Sequence, residues 1–164
     1  MKNGKLIFIF LAVVLWILYK ITDSEIKGET VTKKYKYYDI IQRAAYSFGI
    51  PANRIFAHMI QESGGNPNCV GKLGERGLMQ IMPAAFADVK KYFPQFSEIT
   101  YDDLWNPEIN IMIGAAYLSL LYKWTKYDLD LASRAYNVGI GTIQQNPLAG
   151  SDYLAKIKTY EAVT

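Results

Sequence analysis

One carboxylic acid in this chain is placed to act as a proton donor. Glu62 follows the segment PANRIFAHMIQ, in which Ile55, Phe56, Met59 and Ile60 recur at helical spacing, and it precedes Gly64 and Gly65, which form a helix stop. One face of that helix must pack inward and carry Glu62 with it. A carboxyl group held at such a junction loses solvation of its charged form and is expected to titrate above about 4.3, which is what a general acid needs. A loop of turn residues follows (Asn66, Pro67, Asn68, Gly71, Gly74), and then Gly77, Leu78, Met79 and Gln80, a stretch able to lay backbone and one amide along a polar ligand.

The remaining reactive residue types carry less. Glu75, within GERG, is the acid nearest to Glu62 in sequence, and as a loop acid it is read as solvated. His58, the single histidine, lies one helical turn before Glu62 and is read as core packing; Cys69, the single cysteine, is read as an unactivated thiol. The sequence has no HExxH, no CxxC pair, no phosphate loop and no Ser-His-Asp order, so no metal and no cofactor are expected.

The elements that must position these groups read as helices. Ile40, Ile41, Ala44, Ala45 and Phe48 mark the first, closed by Gly49 and Pro51, and the second carries His58 to Glu62. Pro83 opens a third through Phe86 and Val89. Asn106 as N-cap with Pro107 behind it opens the longest, from Glu108 to about Tyr127, where Gly114, Ala115 and Ala116 allow close helix contact. A further helix is expected from Leu129 to Asn137, and a last one from near Ser151. No alternating apolar run of strand length is present, and the fold class is predominantly α.

Composition bounds the rest. With 164 residues, 51% hydrophobic and 20% charged, the chain suits one domain with a real core plus a short extra segment. The formal charge of +3 arises before residue 35, where six Lys face three acids, so the remainder is neutral. A neutral domain without a basic stripe excludes nucleic acid as the main partner. Lys2 and Lys5 precede an apolar run over residues 6–19, and its 14 residues would span about 21 Å as a helix, against roughly 30 Å for a bilayer core. No small-x-small cleavage site follows, and Trp16, Tyr19 and Lys20 suit an interface. Residues 1–21 are therefore read as an uncleaved membrane anchor rather than a removed signal, with the rest of the chain outside the cytoplasm. Residues 22–34 are polar, of mixed charge and without periodicity, a linker to a domain over residues 35–164.

The order of several features resembles the lytic transglycosylases of the soluble-transglycosylase family, peptidoglycan-cleaving enzymes with a lysozyme-like fold. The resemblance runs from about residue 38 to 160 and rests on Glu62-Ser63, Asn66-Pro67, Gly77-Leu78-Met79-Gln80 and Met82-Pro83. Later matches are Asn106-Pro107, Asn110, Gly114, Tyr117-Leu118, Ala135-Tyr136-Asn137, Gly139 and Tyr153. It departs from the family pattern at Glu75, where a small residue is usual, and at Cys69, where alanine is common. The resemblance implies that Glu62 protonates the leaving oxygen between two sugars and then, as carboxylate, takes a proton from the C6 hydroxyl of the same N-acetylmuramic acid, giving a 1,6-anhydro end. It implies that Ser63 and Gln80 hydrogen-bond near the scissile sugars, that Met79 packs on a sugar face, that Tyr136 and Asn137 line the groove, and that Tyr153 hydrogen-bonds the catalytic acid. Two other readings remain: a lysozyme-type hydrolase using water, and a non-catalytic wall-binding protein. The small size suggests service to an envelope-spanning secretion or conjugation assembly, or to a virion during genome entry.

Overall fold

The computed structural model describes residues 15, 16, 18, 20, 36–146 and 148–162, and the chain divides into two units between Tyr38 and Asp39. The N-terminal apolar run lies largely outside the described residues. Among those described, no helix is long and apolar enough to cross a membrane.

Seven helices among the described residues build the second unit: α1 (Tyr38–Phe48), α2 (Ala52–Ser63), α3 (Pro83–Tyr92), α4 (Pro107–Trp124), α5 (Leu129–Val138), α6 (Ile140–Gln145) and α7 (Ser151–Glu161). Short 3-10 turns at Pro94–Phe96 and Tyr101–Trp105 fill the connection before α4. The centre is α4, whose Ile111, Ile113, Ala115, Ala116, Leu118 and Leu121 are all wholly buried. A helix apolar on most sides must be covered by others, and α3 and α5 pack against it. Asn106 starts α4 by accepting hydrogen bonds from the backbone of Glu108 (2.9 Å) and Ile109 (3.4 Å).

The expected end of α4 near Tyr127 is corrected to Trp124. Lys126 and Tyr127 take positive φ angles of 56° and 66°, and Asp128 at once caps α5 by accepting from Leu131 N–H at 2.8 Å. The six-residue α6 and both 3-10 turns carry too little periodicity to be read from sequence. The remaining irregular segment, residues 64–82, holds two isolated antiparallel bridges, Val70 to Arg76 and Arg76 to Ile81.

A half-buried acid backed by a buried hydrogen-bond chain

Helix α2 ends where the acid must stand. It buries Ile55, Ala57, His58 and Met59, and Gly64 closes it in the left-handed conformation (φ 62°) with its N–H on the Ile60 carbonyl. Glu62 thus lies in the final turn, half-buried, with one carboxylate oxygen held from above: the Tyr153 hydroxyl of α7 donates to Oε1 at 2.5 Å. Helices α2 and α7 pack closely, and the contact buries Ala57, Tyr153 and Ile157.

This environment raises the Glu62 carboxyl from 4.5 to about 7. Burial is the main cause, the Tyr153 hydrogen bond opposes it, and the negative charge of Glu75 adds to it. Tyr153 is driven well above the usual tyrosine range, by burial first and then by the adjacent Glu62, so its hydroxyl stays protonated and can only act as a neutral donor or acceptor.

The loop facing the acid is fixed from two helices. Asn110 of α4, wholly buried, accepts from Met79 N–H at 2.7 Å and donates to the carbonyls of Arg76 and Leu104, each at 2.9 Å. Tyr136 of α5 donates to the Met79 carbonyl at 2.8 Å. Gly77 has φ 74°, and a Cβ there would lie 2.2 Å from the Asn110 amide nitrogen, so both conformation and space require glycine. Gln80 takes a positive φ of 45°, and its amide nitrogen donates to the Cys69 and Gly77 carbonyls. The groove beyond is lined by Gln80, Ile81, Tyr117, Tyr136, Asn137 and Gly139, and Asn137 also borders a hollow walled by Leu148 and Tyr153.

The residues singled out in the sequence therefore fall into two groups. Glu62 and Tyr153 are in direct contact; Gln80, Tyr136 and Asn137 share one groove. Two side chains depart from expectation. Met79 is wholly buried, its side chain turned against α4 at Gly114, which leaves it no face for a sugar, and its backbone is held by Asn110 and Tyr136. The Ser63 hydroxyl donates to the Met59 carbonyl and accepts from Gly65 N–H, tying the helix end together.

Two readings from sequence also change. Glu75 is half-buried, its carboxylate accepts from Leu73 N–H at 2.8 Å, and its charge is felt at Glu62. His58 is wholly buried as expected of core, yet it is a link to the acid: its Nδ1 lies 2.9 Å from the Tyr153 hydroxyl. The position of His58 one turn before Glu62 was the only signal in the sequence, and nothing there identifies Tyr153 as the group between them. Among the described residues, no three His, Cys, Asp or Glu side chains cluster so as to hold a metal ion.

An all-helical domain that presents a half-buried glutamic acid beside an open groove is of the lysozyme-like class. Residues 39–157 match the family model of the transglycosylase SLT domain, and the chain belongs to that family. It is 39% identical over 92 residues to an endo-type membrane-bound lytic murein transglycosylase A of Klebsiella pneumoniae, covering 56% of this chain and 45% of that protein. It is 34% identical over 108 residues to the soluble lytic murein transglycosylase of Escherichia coli, covering 66% of this chain and 17% of that protein. The chain thus spans less than half the length of these curated relatives. Among solved structures, the 70-kDa soluble lytic transglycosylase in complex with bulgecin A superposes with a TM-score of 0.70 at 29% identity, over 77% of this chain and 23% of that one. An inactive mutant of lytic transglycosylase Slt from Pseudomonas aeruginosa gives 0.69 at 26% identity, over 76% and 23%.

Proposed function

We propose that this domain is a lytic transglycosylase that cuts the β-1,4 bond between N-acetylmuramic acid and N-acetylglucosamine in peptidoglycan. Glu62 serves as the acid and then as the base. The observation that carries this reading is the state of Glu62: burial lifts it to about 7 while Tyr153 supports its ionised form, so a single carboxyl is poised to give a proton and to take one back. The leaving oxygen receives the Glu62 proton as the C1–O bond breaks through an oxocarbenium-like state. The resulting carboxylate then removes the C6 hydroxyl proton, and that oxygen bonds to C1. No water is consumed, and Glu62 ends protonated.

The field of Glu75 at Glu62 is the observation that favours a second reading, hydrolysis by two carboxylates on the same scaffold. Digestion of purified peptidoglycan followed by mass analysis of the muropeptides separates the two. Anhydro ends, lighter by one water than hydrolysed ends and lost in Glu62→Gln, support the proposal; reducing ends refute it.

Lys2 and Lys5 ahead of the apolar run support a position on the outer face of the cytoplasmic membrane, tethered through residues 1–21. An alkaline phosphatase reporter fused after residue 164 is expected to be active in cells. An inactive reporter refutes that topology.

A further inference from the structure

Behind Glu62 runs an unbroken line of hydrogen bonds through three helices. Tyr153 of α7 contacts Glu62 Oε1 (2.5 Å) and His58 Nδ1 (2.9 Å); His58 Nε2 contacts Ser133 Oγ of α5 (3.0 Å); and Arg54, one turn before His58 on α2, donates through Nη1 to Ser133 Oγ (2.8 Å). Arg54 is itself buried and held by Glu161 (2.5 Å) and Asp130 (2.8 Å). No buried side-chain nitrogen or oxygen among the described residues lacks a partner.

The direction of this chain follows from proton counting. Arg54 can only donate, and Tyr153, neutral His58 and Ser133 each have one proton to give. The Ser133 proton has two candidate acceptors, His58 Nε2 and the Leu129 carbonyl, each at 3.0 Å. The Leu129 carbonyl already accepts from Arg54 Nη1 at 3.0 Å and from Ser133 N–H in the regular helix ladder, which fills its two lone pairs. His58 Nε2 faces nothing else. Ser133 therefore donates to Nε2, which puts the single imidazole proton on Nδ1, where it points at the Tyr153 oxygen. The Tyr153 proton is then directed onto Glu62 Oε1.

We propose that His58 is a positioning residue for Glu62: as the Nδ1–H tautomer it holds the Tyr153 hydroxyl proton on Oε1, reserving Oε2 as the oxygen that carries the transferable proton. Glu62 can then lose its proton from Oε2 and regain it there while every other hydrogen bond in the line keeps its direction. The inference rests on the acid–base reading of Glu62 given above. The groups facing His58 are consistent with a permanently neutral ring: Arg54 on its own helix, Tyr136 and Ser133 on α5, with the Tyr136 ring 4.8 Å away, and Tyr153 on α7. Burial, with Arg54 adding to it, holds His58 at about 3. Glu62 in turn is faced by Tyr153, Tyr136 and Glu75.

Because His58 is the only histidine, its tautomer can be read without assignment in the intact protein labelled with 15N-histidine, from long-range proton–nitrogen correlations. The expected spectrum shows a protonated Nδ1 and a bare Nε2, unchanged between pH 5 and 8. A protonated Nε2 overturns the proposal, even if Glu62→Gln is inactive; an active Glu62→Gln would instead sink the acid–base reading itself. Kinetics give a second measure. His58→Met should lower kcat by roughly 2- to 12-fold, the worth of one neutral hydrogen bond. It should also move the alkaline limb of kcat/KM to higher pH, because a Tyr153 hydroxyl without its donor supports the carboxylate less. His58→Asn, which keeps an N–H near the Nδ1 position, should restore most of both. In a Tyr153→Phe background, His58→Met should shift the limb no further. A limb unmoved by His58→Met, or shifts that add in the double variant, would mean that His58 only fills space.

Discussion

Glu62→Gln should make the protein more stable at pH 8 while leaving it nearly unchanged at pH 4. The unfolded chain releases the Glu62 proton near 4.5, whereas the folded chain holds it until about 7. Between those values the folded state binds more protons, so its stability falls as pH rises, and above about 7 the loss is complete. Each tenfold change in proton affinity corresponds to about 1.4 kcal/mol, so the ionised carboxylate is carried at a cost of about 3 kcal/mol at pH 8. Glutamine keeps the shape and accepts from Tyr153 but never ionises. Urea denaturation of wild type and variant at both pH values isolates the effect, since the shift of Asp130 does not depend on Glu62, and Tyr136 and Tyr153, which do feel it, are raised further above a tyrosine range that already lies above pH 8. With a slope of roughly 1 to 3 kcal/mol per molar urea, the pH 8 midpoint should rise by about 1 to 3 M. Equal midpoints at pH 8, or a gain of the same size at pH 4, would refute the argument that Glu62 is held at a raised value by burial.

Removing the charge of Glu75 as Glu75→Gln takes away a repulsion that raises Glu62, so the alkaline limb of kcat/KM should move to lower pH; an upward move would contradict that sign. Gly114→Ala places a Cβ 2.7 Å from Met79 Cβ and Cγ and should cost about 1–3 kcal/mol in urea denaturation. Asn110→Leu strands Met79 N–H and the Leu104 carbonyl, while the Arg76 carbonyl keeps the Ile81 N–H; at about 1–3 kcal/mol for each buried group left unpaired, it should cost more than Gly114→Ala, as read from the same denaturation curves.

What the sequence disclosed and what it withheld follow from range. The helix under Glu62, its glycine stop and the Asn106–Pro107 start of α4 are set by residues within a few positions of one another, and each was legible. The resemblance to the transglycosylases assigns Met79 a sugar contact, and its glycine-rich loop says nothing against it. Met79 turns inward because Gly114, 35 positions later, leaves a slot for it in α4, and no local pattern encodes that match. His58 is apolar-face spacing and nothing more until α5 and α7 bring Ser133 and Tyr153 to its two nitrogens, 75 and 95 residues away in sequence. Lys126 and Tyr127 in the left-handed region break a hydrophobic pattern that would otherwise continue, which is why the end of α4 was overrun.

The contact between Tyr153 and Glu62 joins residues 91 positions apart, and that between Arg54 and Glu161 joins residues 107 apart. Contacts of such separation close the largest loops in the domain and form after the local helices that carry them. Helix α2 carries Glu62 and α7 carries the hydroxyl that holds it, so the pair exists only where the two helices have packed together. The surroundings of Glu62 are therefore completed by a helix from the far end of the domain. Under the proposed function, a molecule clipped before α7 would keep the acid but lose the tyrosine that holds it, a form of restraint written into the chain order itself.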